Sequence, residues 1–278
     1  MLFGVITGLA AAGAAAICGG AGGFEDLAWL WMLPVFFAGL WILLTVGALA
    51  FLVIAVNRVD QNIPQEQDSP FYRRMAKYYV AFIKTVLRLR VDTKGLEKTP
   101  KEDRFLLVCN HLDDSDPAVL LHYFRDSQLA FISKRENRDM FIVGKLMHKL
   151  QCQLVNREND REALKTILKC IQLIKEDKVS IGAFPEGGIL VKDKLSHFRS
   201  GMFKIAQKAN VPIVVCTLKG TSDLFHNMKR LKATPVRLHL VDVIPAEEVK
   251  GSNTVELGEK IYQMMLQDLG PEYNPETV

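Results

Sequence analysis

The stretch from Ala28 to Val56, AWLWMLPVFFAGLWILLTVGALAFLVIAV, carries no charged side chain. It exceeds the roughly 20 residues that an α-helix needs to cross the hydrocarbon core of a bilayer. A chain with such a segment has one apolar helix that water does not suit, and the rest of its fold must accommodate that helix. Pro34 lies near its start, where a kink is tolerated in a membrane helix. The preceding Met1–Phe24 run is softer, rich in Gly and Ala, yet long enough to span. Glu25 and Asp26 are the only charged side chains before residue 57, and they fall between the two runs. A secretory signal is the competing reading of the first run. It lacks a basic n-region, and Ile17 before Cys18 is too large for a small-residue cleavage site. The pattern predicts a membrane-embedded helical hairpin over 1–56, with Glu25 and Asp26 at its turn.

Arg58, Arg73, Arg74 and Lys77 follow within about 20 residues of the second run, where basic residues set orientation. They place the rest of the chain on the cytoplasmic side. Five cysteines, Cys18, Cys109, Cys152, Cys170 and Cys216, form no C-x-x-C pair. That count and spacing argue against a disulfide framework or zinc ribbon and agree with a reducing compartment. A net charge of +4 over 278 residues is too small for a broad nucleic-acid-binding field, so no nucleic-acid partner is expected.

A polar linker over 57–70 leads into FYRRMAKYYVAFIKTVLRLR, 71–90, which has six basic residues and no acidic one. Helical spacing puts Arg73, Lys77, Lys84 and Arg88 on one stripe beside a broad aromatic and apolar face. This suits a helix lying on an anionic membrane surface, with a solvated face of a domain-packed helix as the alternative. From Val91 to the end, 91–278, short β-rich runs (FLLVC, LAFIS, CQLVN, VSIGAF, PIVVCTL, VRLHLVDVI) alternate with helical ones (ALKTILKCIQLIKED, GMFKIAQKAN, TVELGEKIYQMMLQDL). Such alternation predicts an α/β domain with a mixed, largely parallel sheet flanked by helices.

Two segments carry chemistry. NHLDDSDP, Asn110 to Pro117, follows the strand FLLVC, at the end where α/β sheets place reactive groups. His111 and Asp116 meet if the chain turns between them, and a carboxylate then fixes the tautomer of an imidazole base. A metal nest built from Asp113, Asp114 and Asp116 lacks a second ligand cluster. Asp116 before Pro117 also reads as an N-cap with Pro at the first helical position. Cys109 reads as a small buried hydrophobe ending its strand, with a nucleophile as the alternative. The second segment, GAFPEGGIL, ends a strand at Phe184-Pro185 and presents Glu186 on a glycine-rich turn.

Taken in order, these motifs resemble the membrane-associated glycerolipid acyltransferases of the 1-acylglycerol-3-phosphate acyltransferase type, over roughly 70–220. His111 and Asp116, with Asn110 before them, match that family's His and Asp five apart; Phe184, Pro185, Glu186 and Gly187 match its Phe-Pro-Glu-Gly block. Lys134 and Gly144 in ISKRENRDMFIVGKLM and Arg157 in LVNRE are similar to its intervening basic motifs, and FRSGMFKIAQKANVPIVV to its later region. The resemblance implies a glycerol-3-phosphate acyltransferase-like fold. It also implies transfer of a fatty acyl group from acyl-CoA or acyl-ACP, as co-substrate, to the hydroxyl of a lysophospholipid, chiefly 1-acyl-sn-glycerol 3-phosphate to give phosphatidic acid. No metal and no other cofactor are implied; membrane lipids and the acyl carrier are the implied partners.

In that scheme His111 is the general base, Asp116 orients it, and Glu186 positions the acceptor's glycerol part. Lys134 and Arg157 bind phosphate, and Asn110, Phe184, Pro185 and Gly187 line the site. The chain departs from the family where Thr-Arg-Ser usually follows Phe-Pro-Glu-Gly: it has Gly188, Ile189 and Leu190, so the missing phosphate contact falls to Lys192, Lys194 or Arg199. Asn156 also stands where Asp is usual, and Phe141 where Pro is common. These departures bear on the headgroup and leave another lysolipid or aminolipid acceptor open. A metal-dependent phosphohydrolase and a non-catalytic lipid-binding protein are the alternatives from other classes.

Overall fold

The computed structural model describes residues 1–21, 29–156 and 159–275. Its α-helices and strands, in chain order, begin with α1 (Leu2–Gly20), α2 (Trp29–Asn57), α3 (Pro70–Val86), β1 (Leu89–Lys94) and β2 (Leu106–Cys109). Next come α4 (Asp116–Tyr123), β3 (Leu129–Lys134), α5 (Val143–Lys149), β4 (Gln153–Val155), α6 (Asp160–Lys175) and β5 (Ser180–Ala183). The chain continues through α7 (Lys204–Ala209), β6 (Ile213–Lys219), α8 (Leu224–Lys229), β7 (Thr234–Ile244), α9 (Ala246–Gly251) and α10 (Thr254–Leu269).

The seven strands form one sheet in the order β1-β7-β6-β2-β5-β3-β4. β2, β3, β4, β5 and β6 are mutually parallel, whereas β7 runs antiparallel to β6 and carries β1 parallel to itself at the edge. The central strands β2 and β5 are buried along their whole length. That is why they read as unbroken apolar runs, the signature of parallel strands covered on both faces.

Successive side chains alternate between two cores, as the pleat requires. Leu106, Val108, Ile181, Ala183, Ile213 and Val215 face α6, α7 and α10, while Phe105, Leu107, Cys109, Phe131, Val214 and Cys216 face α4.

Both apolar runs are helical. α1 lies against α2, with Phe3 and Thr7 meeting Trp41 and Gly13 so close to Leu40 that a Cβ there would sit 2.8 Å from its Cδ1. The expected turn at Glu25 and Asp26 lies outside the described residues. The pair joins the α/β domain through Leu52, Ala55 and Val56 on Met75 and Tyr79, flanked by Ile142 and Leu146.

Helix α3 stops at Val86, short of the expected Arg90. Arg88 takes a left-handed conformation (φ 53°), and Leu89 and Arg90 enter the sheet opposite Thr234 and Pro235. Sheet pairing with a strand 145 residues away, invisible to local periodicity, ends the helix. The basic stripe is also divided. Arg73 is buried, its guanidinium forked onto Asp68 at 2.5 and 2.9 Å and donating to the carbonyls of Leu129 and Leu150. Removing it leaves a buried carboxylate unpaired, a loss of about 3–5 kcal/mol. Lys84 donates to the Tyr123 hydroxyl. The linker over 57–70 is stapled down as well, with Gln61 and Asn62 on Arg138 and Gln65 on Lys149 and Gln151.

Candidate active site

The five parallel strands all end at one edge of the sheet, where their freed backbone groups and loops face outward. β2 delivers Asn110 and His111 there, β5 the Phe184–Gly187 turn, and β3 Lys134. Val155 pairs with Lys134, so β4 ends beside it. Arg157, two positions on, lies outside the described residues, and its expected role is untouched by the geometry.

His111 Nδ1 lies 2.9 Å from Asp116 Oδ2. The same oxygen accepts the amides of Leu112 and Asp113 at 2.7 and 2.9 Å. Asp116 was expected to cap its own helix forward. Instead it opens α4 and turns its carboxylate back onto the preceding loop, fully buried, and Ser115 occupies the N-cap position. The loop wraps around the carboxylate because both amides would otherwise be buried without acceptors. With Nδ1–H donated to Asp116, Nε2 carries the lone pair and has no hydrogen-bond partner among the described residues, the arrangement a general base needs.

Asp113 Oδ1 accepts the Ser115 amide and closes a turn, and Asp114 is exposed. The three aspartates thus have separate tasks, and among the described residues no group of three metal-ligating side chains converges. Cys109 is fully buried, and burial pushes its thiol well above the usual range, so it stays a thiol and packs as a small hydrophobe.

The imidazole is held in a stack. Its ring lies 4.2 Å from that of Phe184 at an interplanar angle of 19°, and Phe184 lies 5.9 Å from Phe131 at 10°. Phe131 in turn sits over Gly182, where a Cβ would come within 2.5 Å of its ring. Gly182 and Phe131 were not singled out from sequence. The available signal was a glycine inside a fully buried strand, which marks a close approach.

Glu186 is 3% exposed. Its Oε1 accepts the His111 amide at 2.7 Å and its Oε2 the Ser196 amide at 2.8 Å. Burial pushes its carboxyl up to about 7, against the downward pull of the Ser196 and His111 amides. It clamps the β5 turn to the β2 turn and to the segment leading to α7; Ser196 is a further site residue that sequence reasoning missed. Gly187 is left-handed (φ 78°), with the Arg199 side chain laid across it 2.7 Å from where a Cβ would stand. The Arg199 amide donates to the Pro185 carbonyl at 2.9 Å, and Arg199 itself is exposed.

Asn110 differs from its expected place in the substrate site. Its side-chain amide donates to and accepts from the backbone of Leu218 at 2.9 and 2.7 Å, continuing the β2–β6 pairing by one rung. Gly144 allows the Arg138 carbonyl to pass 2.0 Å from where its Cβ would be. Lys134 is exposed at the end of β3.

A histidine–carboxylate pair stands at the carboxyl edge of a helix-covered sheet, in a domain joined to two helices long and apolar enough to cross a membrane. Comparison with known proteins sharpens this picture. A family model described as Acyltransferase matches residues 90–219. The probable 1-acyl-sn-glycerol-3-phosphate acyltransferase of Mycoplasma pneumoniae is 29% identical over 184 residues, 64% of this chain and 66% of that protein. The 1-acyl-sn-glycerol-3-phosphate acyltransferase of Chlamydomonas reinhardtii is 30% identical over 208 residues, 72% of this chain and 60% of that one. The Bacillus subtilis 1-acyl-sn-glycerol-3-phosphate acyltransferase is 27% identical over 197 residues, 68% of this chain and 96% of that one. The crystal structure of the 1-acyl-sn-glycerophosphate acyltransferase from Thermotoga maritima shares the fold, with a TM-score of 0.57 and 21% identity over 79% of this chain and 86% of that one. Residues 90–219 of the chain thus match the acyltransferase family.

Proposed function

We propose that this enzyme transfers a fatty acyl group from an acyl-CoA or acyl-carrier-protein thioester to the free hydroxyl of 1-acyl-sn-glycerol 3-phosphate, giving phosphatidic acid. The observation that carries the reading is the His111 imidazole, fixed by Asp116 on one nitrogen, stacked on Phe184 and open at the other nitrogen. Nε2 takes the proton of the acceptor hydroxyl as its oxygen attacks the thioester carbonyl. Asp116 supports the imidazolium, which then returns the proton to the departing thiolate as the tetrahedral intermediate collapses to ester and free thiol. No covalent acyl-enzyme forms.

Glu186 acts through His111 rather than on the glycerol part of the acceptor, because its two oxygens are occupied by backbone amides. Lys134, Arg157 and Arg199 supply the cations for phosphate, and a guanidinium suits this by its bidentate fork. Arg199, lying across Gly187, stands in for the arginine that Gly188-Ile189-Leu190 lacks. The α1–α2 pair holds the domain on the membrane, on its cytoplasmic side by the bias of basic residues after α2.

The test is acyl transfer from radiolabelled acyl-CoA and acyl-carrier protein to a panel of lysolipids with purified enzyme. Transfer to lysophosphatidic acid, lost in His111→Ala while the variant stays membrane-bound, supports the reading. Preference for phosphate-free lysolipids moves the acceptor to an aminolipid. Transfer that persists in His111→Ala sinks the mechanism, and phosphate release abolished by a chelator assigns a phosphohydrolase.

A further inference from the structure

Outside the α1–α2 pair, nine large exposed apolar side chains sit in the segments that follow β3, β5 and β6, at the edge of the sheet where the parallel strands end. Single exposed hydrophobes are ordinary, but a cluster at one edge marks a contact surface. Leu190, 68% exposed in the loop after β5, and Phe141, 55% exposed after β3, belong to it. A further group follows β6. There Phe225 and Met228, 57% and 36% exposed, share one face of α8, and Leu231, 80% exposed, follows in the turn that leaves it.

Lys229, Arg230 and Lys232 are interleaved with them and exposed, and no acidic residue occurs from Leu224 to Ala233. Leu231 is held outward in a left-handed conformation (φ 53°), where glycine is the usual occupant. Its carbonyl accepts the Arg88 guanidinium at 2.8 Å. The fold therefore builds a rigid turn whose outer surface is apolar and cationic.

Its place in the sheet gives that surface a partner. β2, which carries His111, is the middle strand of seven. The apolar helix pair joins the domain beside α5, between β3 and β4, where Lys145 also donates to Asn57. α8 connects β6 to β7, on the opposite side of β2. We infer that the segment Phe225–Lys232 is a second lipid-contacting foot, seated on an anionic bilayer surface. With the helix pair it brackets His111 and holds the catalytic edge against the membrane. Apolar wedge plus basic rim is the composition that binds such surfaces, and two contacts anchor where one leaves the domain free to swing. The inference rests on the membrane-bound lysolipid reading and adds to it how the site is presented to lipid.

The test uses the full-length enzyme in phosphatidylcholine vesicles with and without phosphatidylglycerol. Four native cysteines are buried and Cys152 is partly so, so Met228→Cys and, as reference on the far side of α6, Leu168→Cys take a polarity-sensitive fluorophore selectively. The label at 228 is expected to shift blue and to be quenched by lipids brominated on their acyl chains, while that at 168 is not. A label at 228 as open to aqueous iodide as the one at 168 overturns the inference. So does protection of 228 in lipid-free detergent with a doubled particle mass, which would assign the patch to a second copy of the chain.

Replacing the three cations with glutamine, a surface change that spares the packed Leu224, should raise KM for acceptor in anionic vesicles roughly tenfold or more. kcat, and KM for detergent-dispersed acceptor, stay unchanged. An equal loss in detergent refutes it. The fluorescence readout needs no turnover: a different substrate leaves it standing, and an active enzyme with 228 in water refutes this inference alone.

Discussion

Among the described residues there are two histidine–aspartate pairs of nearly the same geometry. His111 Nδ1 lies 2.9 Å from Asp116, and His239 Nδ1 lies 2.7 Å from Asp268; both imidazoles are 14% exposed. Their surroundings differ. Among the described residues Asp116 accepts only from His111 and two backbone amides of its own loop. Asp268, on α10, also accepts from the Thr217 hydroxyl at 2.5 Å and the Arg237 guanidinium at 2.6 Å. Burial alone would raise the Asp268 carboxyl, but the bonds from Thr217 and His239 and the charge of Arg237 outweigh it and hold it below its usual value.

The second pair ties β6 and β7 to α10, and its carboxylate already has a permanent cation. The first has no cation but the one that protonating His111 creates. A histidine–carboxylate distance therefore does not identify a base. The strand end and the uncommitted second nitrogen do.

The sharpest way to break this contrast is to remove each imidazole. His111→Ala should lower kcat by about 10²–10⁴-fold, the range for a general base, whereas His239→Ala should leave kcat within about threefold and lower the melting temperature; equal losses of kcat would erase the distinction. Next, Asp116→Asn should lower kcat by on the order of 10²-fold with KM little changed, because the amide no longer fixes the tautomer. Asp268→Asn should instead cost about 1–3 kcal/mol of stability, read by urea unfolding with activity measured in the folded range.

A smaller effect is expected from Gly182→Ala. Its methyl must displace Phe131 and, through Phe184, tilt His111, giving a loss of about 1–3 kcal/mol and roughly tenfold in kcat, while Phe131→Leu in the same background restores part of the rate.

Glu186 offers a pH test. Its folded-state carboxyl is raised to about 7 from 4.5, so the folded state binds more protons than the unfolded one between those values. Its favourable contribution is complete below about pH 4.5 and is lost as pH rises through 7. Glu186→Gln should flatten the stability–pH profile by up to about 3 kcal/mol over that window; an unchanged slope contradicts the burial described. At the bottom of the scale, Asp114→Ala should stay within about 0.5 kcal/mol in stability and twofold in rate.

Much of this was legible from the chain. Buried parallel strands read as apolar runs because both faces are covered, and the strands around Val108, Ile181 and Val214 were placed within a residue or two. β1 was missed because its Leu-Arg-Val-Asp-Thr-Lys sequence is mostly exposed at the sheet edge and resembles the tail of a basic helix. Arg73 read as a membrane-facing cation, but the approach of Asp68 and two carbonyls made it a buried clamp. Asn110 read as a site residue, yet its amide completes a ladder with a strand 108 residues later.

The sequence alone determined that two apolar helices exist, that an α/β sheet follows, and that a histidine and a carboxylate stand five apart after a strand. Those properties depend on local composition and spacing, and they survive without knowledge of partners. Only the tertiary structure decided that Glu186 locks the loops, and which of two similar pairs is left open. The reason is physical: what a hydrogen-bonding group does is set by the donors that reach it, and here those come from strands and turns far apart in the chain.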